Sequence, residues 1–333
     1  MHKVCVHGSD GVNWSIDTDC KNTINLLKEI PNIKLVNNFI FANTIFFVWY
    51  QQALEYLKIL KFFRKRVVVS VTNDIRNHQD DFDKLKDIVD VWVCANKTQQ
   101  LFISQKGLKT YLHPYYVNEN KFRTLNISKD IICQILDINY KNIKDKFLIG
   151  SFQRDSLGGN LDKPKWQKGP ELLVDILSSF NKNNILLVLA GPRRHWIIEA
   201  AKKQSIPYIF VGKNLKGKDD LFENNLDSEI INYLYNLCDL YIVSSKSEGG
   251  PKAIIESSLC KLPVISTDVG FAKELLIDES IYNNKKEAVE LLEELIDDQN
   301  KINKISISNY NKVLRINNKD SAIKRLNEII FLS

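Results

Sequence analysis

The sequence predicts an α/β protein built as two Rossmann-like domains facing across a cleft, and three observations lead to that class. Short apolar, β-branched runs alternate with helical patterns along the whole chain. The alternation pauses in a polar stretch at 119–145 and then restarts. At 333 residues the chain is long for one core and suits two.

The first half reads as strands at 3–7, 33–36, 44–50, 66–71, 91–94 and 110–112, with helices in the gaps. Such a βα series predicts a parallel sheet covered on both faces. The second half repeats the rhythm, with strands at 147–152, 185–190, 208–211, 240–243 and 263–266. The expected domains are therefore 1–118 and 146–309. Between them, 119–145 serves as the connection, polar around one short apolar stretch at 131–138. The terminal segment has helical periodicity, and a helix at about 310–333 is expected to pack back on the first domain.

Composition excludes several classes. Apolar residues make up 44% and charged residues 26%, which is globular usage. No apolar run reaches the ~20 residues that span a bilayer, so a soluble protein is expected. The six cysteines, Cys5, Cys20, Cys94, Cys133, Cys238 and Cys260, include no CxxC pair, which fits a reducing cytoplasm. The chain runs from Met1 and His2 straight into a strand, without the core of a signal peptide. Net charge is +6 from interspersed lysines, and nucleic acid is not implied. The densest basic segment, KILKFFRKR at 58–66, has two readings. It would suit peripheral contact with an anionic membrane at the inner face; a solvated helix end with two core phenylalanines is the favoured one.

The most informative segment is YIVSSKSEGGPKAIIE at 241–256. It joins a strand to a helix through a turn carrying Glu248, Gly249 and Gly250, with Pro251 expected at the first helical position. Open α/β sheets bind ligands at this strand edge, and a helix start offers N–H groups to a phosphate. Glu248 on the turn and Glu256 in the helix can face one ligand, and carboxylates accept paired hydrogen bonds from vicinal hydroxyls. A helix first turn also favours glutamate through its dipole, without any ligand.

Two further edge loops carry cations. After the strand at 147–152 come Gln153, Arg154 and LGGNLDKPKWQKGPE, in which Lys168, with Lys165 as an extra candidate, would join Arg154 in neutralising a diphosphate. Solvated loop cations are the ordinary alternative. The loop AGPRRHW adds Arg193, expected to face the nucleotide, Arg194, and His195, expected to be structural or exposed.

From 149 to 276 the phrases GSFQRD, PKWQKGPELLVDIL, LVLAGP, IPYIFVG and LYNLCDLYIVSSKSEGGPKAIIESSLCKLPVISTDVG stand in a recognisable order. In them the second half resembles the donor domain of retaining glycosyltransferases of GT-B architecture, family 4. The resemblance implies that Glu248 lies near the donor sugar and that Glu256 binds the ribose hydroxyls. Gly249, Gly250 and Pro251 would lie against sugar and phosphate, with Arg154 and the Lys168-Gly169 pair on the diphosphate. The loop between Arg154 and Lys168 is longer than the family's common pattern. The first half resembles the family's acceptor domain more weakly, with HPYYVNENKF where a Pro-rich hinge phrase is usual. In HGSDGVNWSIDTD, Gly8 and Gly11 match a glycine-rich loop that approaches the donor phosphate. Trp14, Asp17 and Asp19 have no transferable family role; they suit a sugar acceptor, or Asp19 simply caps a helix. Many members carry a histidine after the strand that here reads VVVSVTND; this chain has Asn73 there and His78 a few residues on.

The resemblance implies transfer of a hexose-type sugar, with retention, from a nucleoside diphosphate sugar to a hydroxyl of a glycan or lipid-linked saccharide, as in polysaccharide biosynthesis. UDP and GDP are the leading donor nucleotides. No cofactor and no metal are expected: the sequence has no His/Cys cluster at ligand spacing, and DTD at 17–19 is too weak a match to a metal motif. Two alternatives stand beside this reading, a sugar-nucleotide epimerase on the same scaffold and a non-catalytic nucleotide-sugar binding protein.

Overall fold

A computed structural model of the chain describes every residue except 13–14, 64, 181–183, 216 and 332–333. By their contacts the residues form two units. One comprises Met1–Asn118, Glu248–Gly250 and Ile316–Ser333, the other Glu119–Ser247 and Pro251–Arg315.

In the first unit, β1 (His2–His7), α1 (Ser15–Lys28), β2 (Ile33–Leu35), β3 (Thr44–Phe47), α2 (Tyr50–Glu55), α3 (Leu57–Phe63), β4 (Arg66–Val71), α4 (Gln79–Leu85), β5 (Val91–Cys94), α5 (Lys97–Ser104) and β6 (Thr110–Leu112) alternate as expected. The strands pair in parallel in the order β2-β1-β3-β4-β5-β6. Val67, Val68 and Val69, with Val91, Trp92, Val93 and Cys94, are buried whichever way their side chains point, because helices cover both faces. The C-terminal helix Lys319–Phe331 belongs to this unit and shares a core with Val4, Leu26 and Leu27 through Ala322, Leu326, Ile329 and Ile330. Arg66 donates to Ile329 O and Ile330 O, each at 2.6 Å, which satisfies carbonyls that a helix end leaves open. The apolar run at 44–50 divides: β3 stops at Phe47, and α2 starts at Tyr50 after the extended residue Trp49.

The second unit runs α6 (Lys129–Ile135), β7 (Phe147–Ser151), β8 (Ser156–Leu157), β9 (Asn160–Pro164), α7 (Pro170–Leu177), β10 (Ile185–Ala190), α8 (His195–Lys203), β11 (Tyr208–Val211), α9 (Ser228–Leu237), β12 (Leu240–Val243), α10 (Lys252–Leu259), β13 (Val264–Thr267), α11 (Ala272–Leu275), β14 (Ile281–Tyr282), α12 (Lys285–Asp297) and α13 (Gln299–Ile316). Its six parallel strands lie in the order β11-β10-β7-β12-β13-β14. The unit's first strand, β7, is therefore central. Winding runs outward from it in one direction through β10 and β11, then reverses at β12. The β7/β12 boundary is a topological switch point, where the loops at the strands' carboxyl ends diverge and leave a crevice.

Two strand features of this unit depart from the sequence expectation. β14 is a sixth strand of two residues, too short for a period-2 pattern to register. The Gly-rich loop after Arg154 contains an antiparallel hairpin, β8 with β9, that accounts for its extra length.

Candidate functional site

The loops that leave β7 and β12 flank the switch point of the second unit, and one side chain joins them. Gln153 Nε2 donates to Lys168 O at 2.9 Å and to Ser244 Oγ at 3.3 Å, while its Oε1 accepts from Ser245 Oγ at 3.2 Å. Ser244 Oγ also donates to Lys168 O, and Gln167 O accepts from the amides of Lys246 and Ser247. Arg154 follows Gln153 directly, and Lys168 ends the 3-10 turn Trp166–Lys168. The amide of Gln153 thus ties together the two segments that carry the expected diphosphate cations. Both cations are partly buried, as is Lys165, whose amide donates to Asp155 O at 2.6 Å.

Gly169 closes this arrangement. It sits at φ 56°, and a Cβ there would lie 2.0 Å from Ser244 O, so only glycine allows the approach. It is also the N-cap of α7, with Pro170 as the first helical residue. α10 starts similarly, except that Pro251 is its N-cap and Lys252 its first residue, one position later than the sequence suggested. Neither Gly169 nor Pro251 has a side chain able to accept from first-turn N–H groups, and helix starts of this kind suit an anion.

Glu256 lies in α10, partly buried, and its Oε2 accepts from the phenol of Tyr235 in α9 at 2.8 Å. Burial first, and then the charge of Glu256, hold that phenol well above the usual tyrosine range.

The two arginines of AGPRRHW separate. Arg193 adopts φ 57°, and its guanidinium forks onto Asp219 at 2.9 and 2.7 Å, while its amide donates to Asp220 at 2.7 Å. The next residue, Arg194, is fully buried and forms a 2.8 Å ion pair with Asp155, also fully buried; it donates to Ser151 O as well. Burial raises the Asp155 carboxyl, with Arg194 and Lys168 pulling it back, and burial likewise lowers Arg194. His195 starts α8, with Nε2 3.3 Å from Leu215 O. Asp155, Arg194, Gln153 and Tyr235 carried no signal in the sequence beyond their neighbours' motifs.

In the first unit the switch point lies between β1 and β3, and the loop after β1 holds Gly8 and Gly11. A Cβ on Gly8 would collide with Val48, whereas Gly11, at φ 70°, faces open space. Asp17 accepts from Ser9 Oγ at 2.7 Å. Asp19 is not a helix cap: α1 begins at Ser15, and Asp19 sits inside it. Trp14 lies outside the described residues. Asn73 O accepts from Gln99 Nε2 at 2.5 Å, and the His78 ring leans on Tyr50 with centroids 6.1 Å apart. The tripeptide Glu248–Gly250 groups with this unit: Asn96 Nδ2 donates to Gly249 O at 2.6 Å, and a Cβ on Gly249 would lie 2.4 Å from Thr72 O. The charges of Asp19 and Glu248 add to burial in raising the Tyr115 phenol, which donates to Thr72 O.

The basic segment at α3 does not bury its phenylalanines. Phe62 is 79% exposed, and Ile59 and Phe63 are exposed beside Lys58 and Lys61. Phe63 meets Phe39 edge-on at 6.2 Å, next to Ile40 and the 64% exposed Phe41. The favoured reading of two core phenylalanines is corrected here: the helix is short, and its one buried side, at Leu60, faces the sheet. No helix among the described residues is long and apolar enough to cross a membrane, and no group of three or more His, Cys, Asp or Glu side chains among them could hold a metal.

Residues 161–312 match the family model described as Glycosyl transferases group 1. No curated protein matches the chain. Among solved structures, Anabaena HepE in complex with UDP and glucose superposes with a TM-score of 0.76 at 14% identity, covering 100% of both chains. A sucrose-phosphate synthase from Thermosynechococcus elongatus gives 0.68 at 15%, over 86% of this chain and 73% of the other. An E. coli trehalose-6-phosphate protein bound with UDP-2-fluoro glucose gives 0.71 at 11%, over 99% of each. The chain shares with these structures the GT-B fold of two Rossmann-like halves.

Proposed function

We propose that this protein is a hexosyltransferase that uses a nucleoside diphosphate sugar, with UDP the favoured nucleotide, and retains configuration at the transferred sugar. The observation that carries the reading is the Gln153 clamp at the switch point, which joins the segments of Arg154 and Lys168 to the strand edge leading into α10. The match of 161–312 to Glycosyl transferases group 1 supports it, as do the UDP and glucose bound by one similar structure and the UDP-2-fluoro glucose bound by another.

Departure of a nucleoside diphosphate builds negative charge on the leaving oxygens. Arg154, Lys168 and the amino-terminal dipole of α10 would stabilise that charge, with Lys165 and Arg193 at the margin of the same site. Gly249, Gly250 and Pro251 would let the backbone meet sugar and phosphate, Glu256 would accept the ribose hydroxyls, and Glu248 would hold the donor sugar. The acceptor hydroxyl attacks the anomeric carbon on the face that the diphosphate leaves and passes its proton to the departing diphosphate oxygen, through an oxocarbenium-like state and without a covalent enzyme intermediate or a metal. Gly8 and Gly11 would approach the donor phosphate; Asp17, Asp19, Asn73, His78 and Trp14 remain the acceptor candidates. A glycan or lipid-linked saccharide of polysaccharide biosynthesis is the proposed acceptor. The exposed Phe41, Phe62 and Phe63 beside Lys58 and Lys61 support docking on an anionic bilayer at the cytoplasmic face.

Transfer from UDP-glucose and GDP-sugars, followed by product analysis with and without added acceptor, tests this reading. Lys168→Ala and Glu256→Ala should each lower turnover at least about a hundredfold with the fold intact. Undiminished turnover in both variants, or conversion of the donor to another nucleotide sugar without acceptor, would refute it.

A further inference from the structure

Tyr235 and Glu256 stand on different helices, α9 and α10, and meet through a single hydrogen bond. Tyr235 is 2% exposed, and its ring is wedged among Phe152, Tyr241 and Phe122 at centroid distances of 5.2, 5.3 and 6.0 Å. Swinging the phenol away would require these rings to repack. With its pKa raised, the phenol stays an O–H donor at any working pH. A glutamate side chain has several rotatable bonds, and ordering them on binding lowers affinity. A rigid donor that already holds one carboxylate oxygen reduces that ordering.

We propose that Tyr235 is a positioning residue for recognition of the nucleotide ribose, acting by holding the Glu256 carboxylate in its binding orientation. The inference rests on the reading of Glu256 as the ribose acceptor. The same ring packs on Phe152, directly before Gln153 and Arg154, so the ribose carboxylate and the diphosphate loop share one support. Phe152 is itself held, because its amide donates to Tyr241 Oη at 3.0 Å.

The test compares Kd for UDP and for 2′,3′-dideoxy-UDP in the wild type, Tyr235→Phe and Glu256→Ala. Tyr235→Phe keeps the ring and removes the donor. It should weaken UDP about five- to tenfold, the scale of ordering one flexible side chain on binding, and leave 2′,3′-dideoxy-UDP within about twofold. In turnover, KM for the nucleotide sugar should rise while kcat stays within about twofold. Loss of affinity for both nucleotides alike, or for neither, would overturn the proposal. If Glu256→Ala keeps the preference for UDP, the ribose reading fails; if that variant loses it and Tyr235→Phe does not, only the role of Tyr235 fails. Should Tyr235→Phe not fold, Tyr235→Met, whose flexible side chain fills the same space, is read by the same ratio.

Discussion

Asp155 and Arg194 form an ion pair at 2.8 Å from which water is wholly excluded, one residue after Arg154 and one after Arg193. The pair braces the base of both edge loops. The amides of Asp155 and Ser156 donate to Arg193 O, and the amide of Trp196 donates to Ser156 Oγ. Arg154 and Arg193 are thereby left at the margin while their neighbours point inward.

The bracing predicts an asymmetric cost. Removing one partner strands a buried charge, so Arg194→Leu should lower unfolding free energy by about 3–5 kcal/mol, whereas Asp155→Leu/Arg194→Leu together should recover most of it. Urea unfolding of the three proteins checks this. A single variant as stable as the wild type would show that the pair braces nothing.

The glycines predict a second contrast. Gly169→Ala meets both an αL penalty of about 1–2 kcal/mol and a clash with Ser244 O, and should destabilise by about 3–4 kcal/mol and remove measurable UDP binding. Gly11→Ala has the same kind of φ but open space around its Cβ, so it should cost only about 1 kcal/mol. Melting temperatures and UDP titration distinguish the two; equal costs would contradict the account of Gly169.

A third prediction concerns pH. Burial, with the nearby charge of Arg325, lowers His113 to about 3, and Arg325 Nε donates to its Nδ1 at 3.2 Å. The folded state keeps this ring neutral, while the unfolded chain takes up a proton below about 6.5. The stability it contributes is therefore full above about 6.5 and declines as pH falls toward 3. His113 retains some contact with water, so between pH 7 and 5 the wild type should lose about 1–2 kcal/mol more than His113→Asn. Parallel denaturation curves at the two pH values for both proteins would contradict the assignment.

Much of this molecule is legible in its residues. Runs such as 67–69 and 185–190 are apolar at every position because helices cover both faces of a parallel sheet, and that demand leaves a continuous run. The turn at Glu248 to Pro251 and the Lys168-Gly169 pair are legible for another reason: a close backbone approach admits few residue types. Strand order left no such trace. Each strand reads alike whether it lies at an edge or the centre, so only the assembled sheet makes β7 central and creates the switch point beside β12. The neighbours Arg193 and Arg194 are the same residue type at consecutive positions, and local pattern cannot rank them. Tertiary packing sends Arg194 to Asp155 and turns Arg193 through φ 57° toward Asp219. Tyr235 likewise reads as one more aromatic on an amphipathic helix until α9 and α10 pack and bring its hydroxyl to Glu256. Local residue patterns locate the close backbone approaches and the charged loops; contacts between residues far apart in the chain, which carry no local periodicity, select the side chains that hold them.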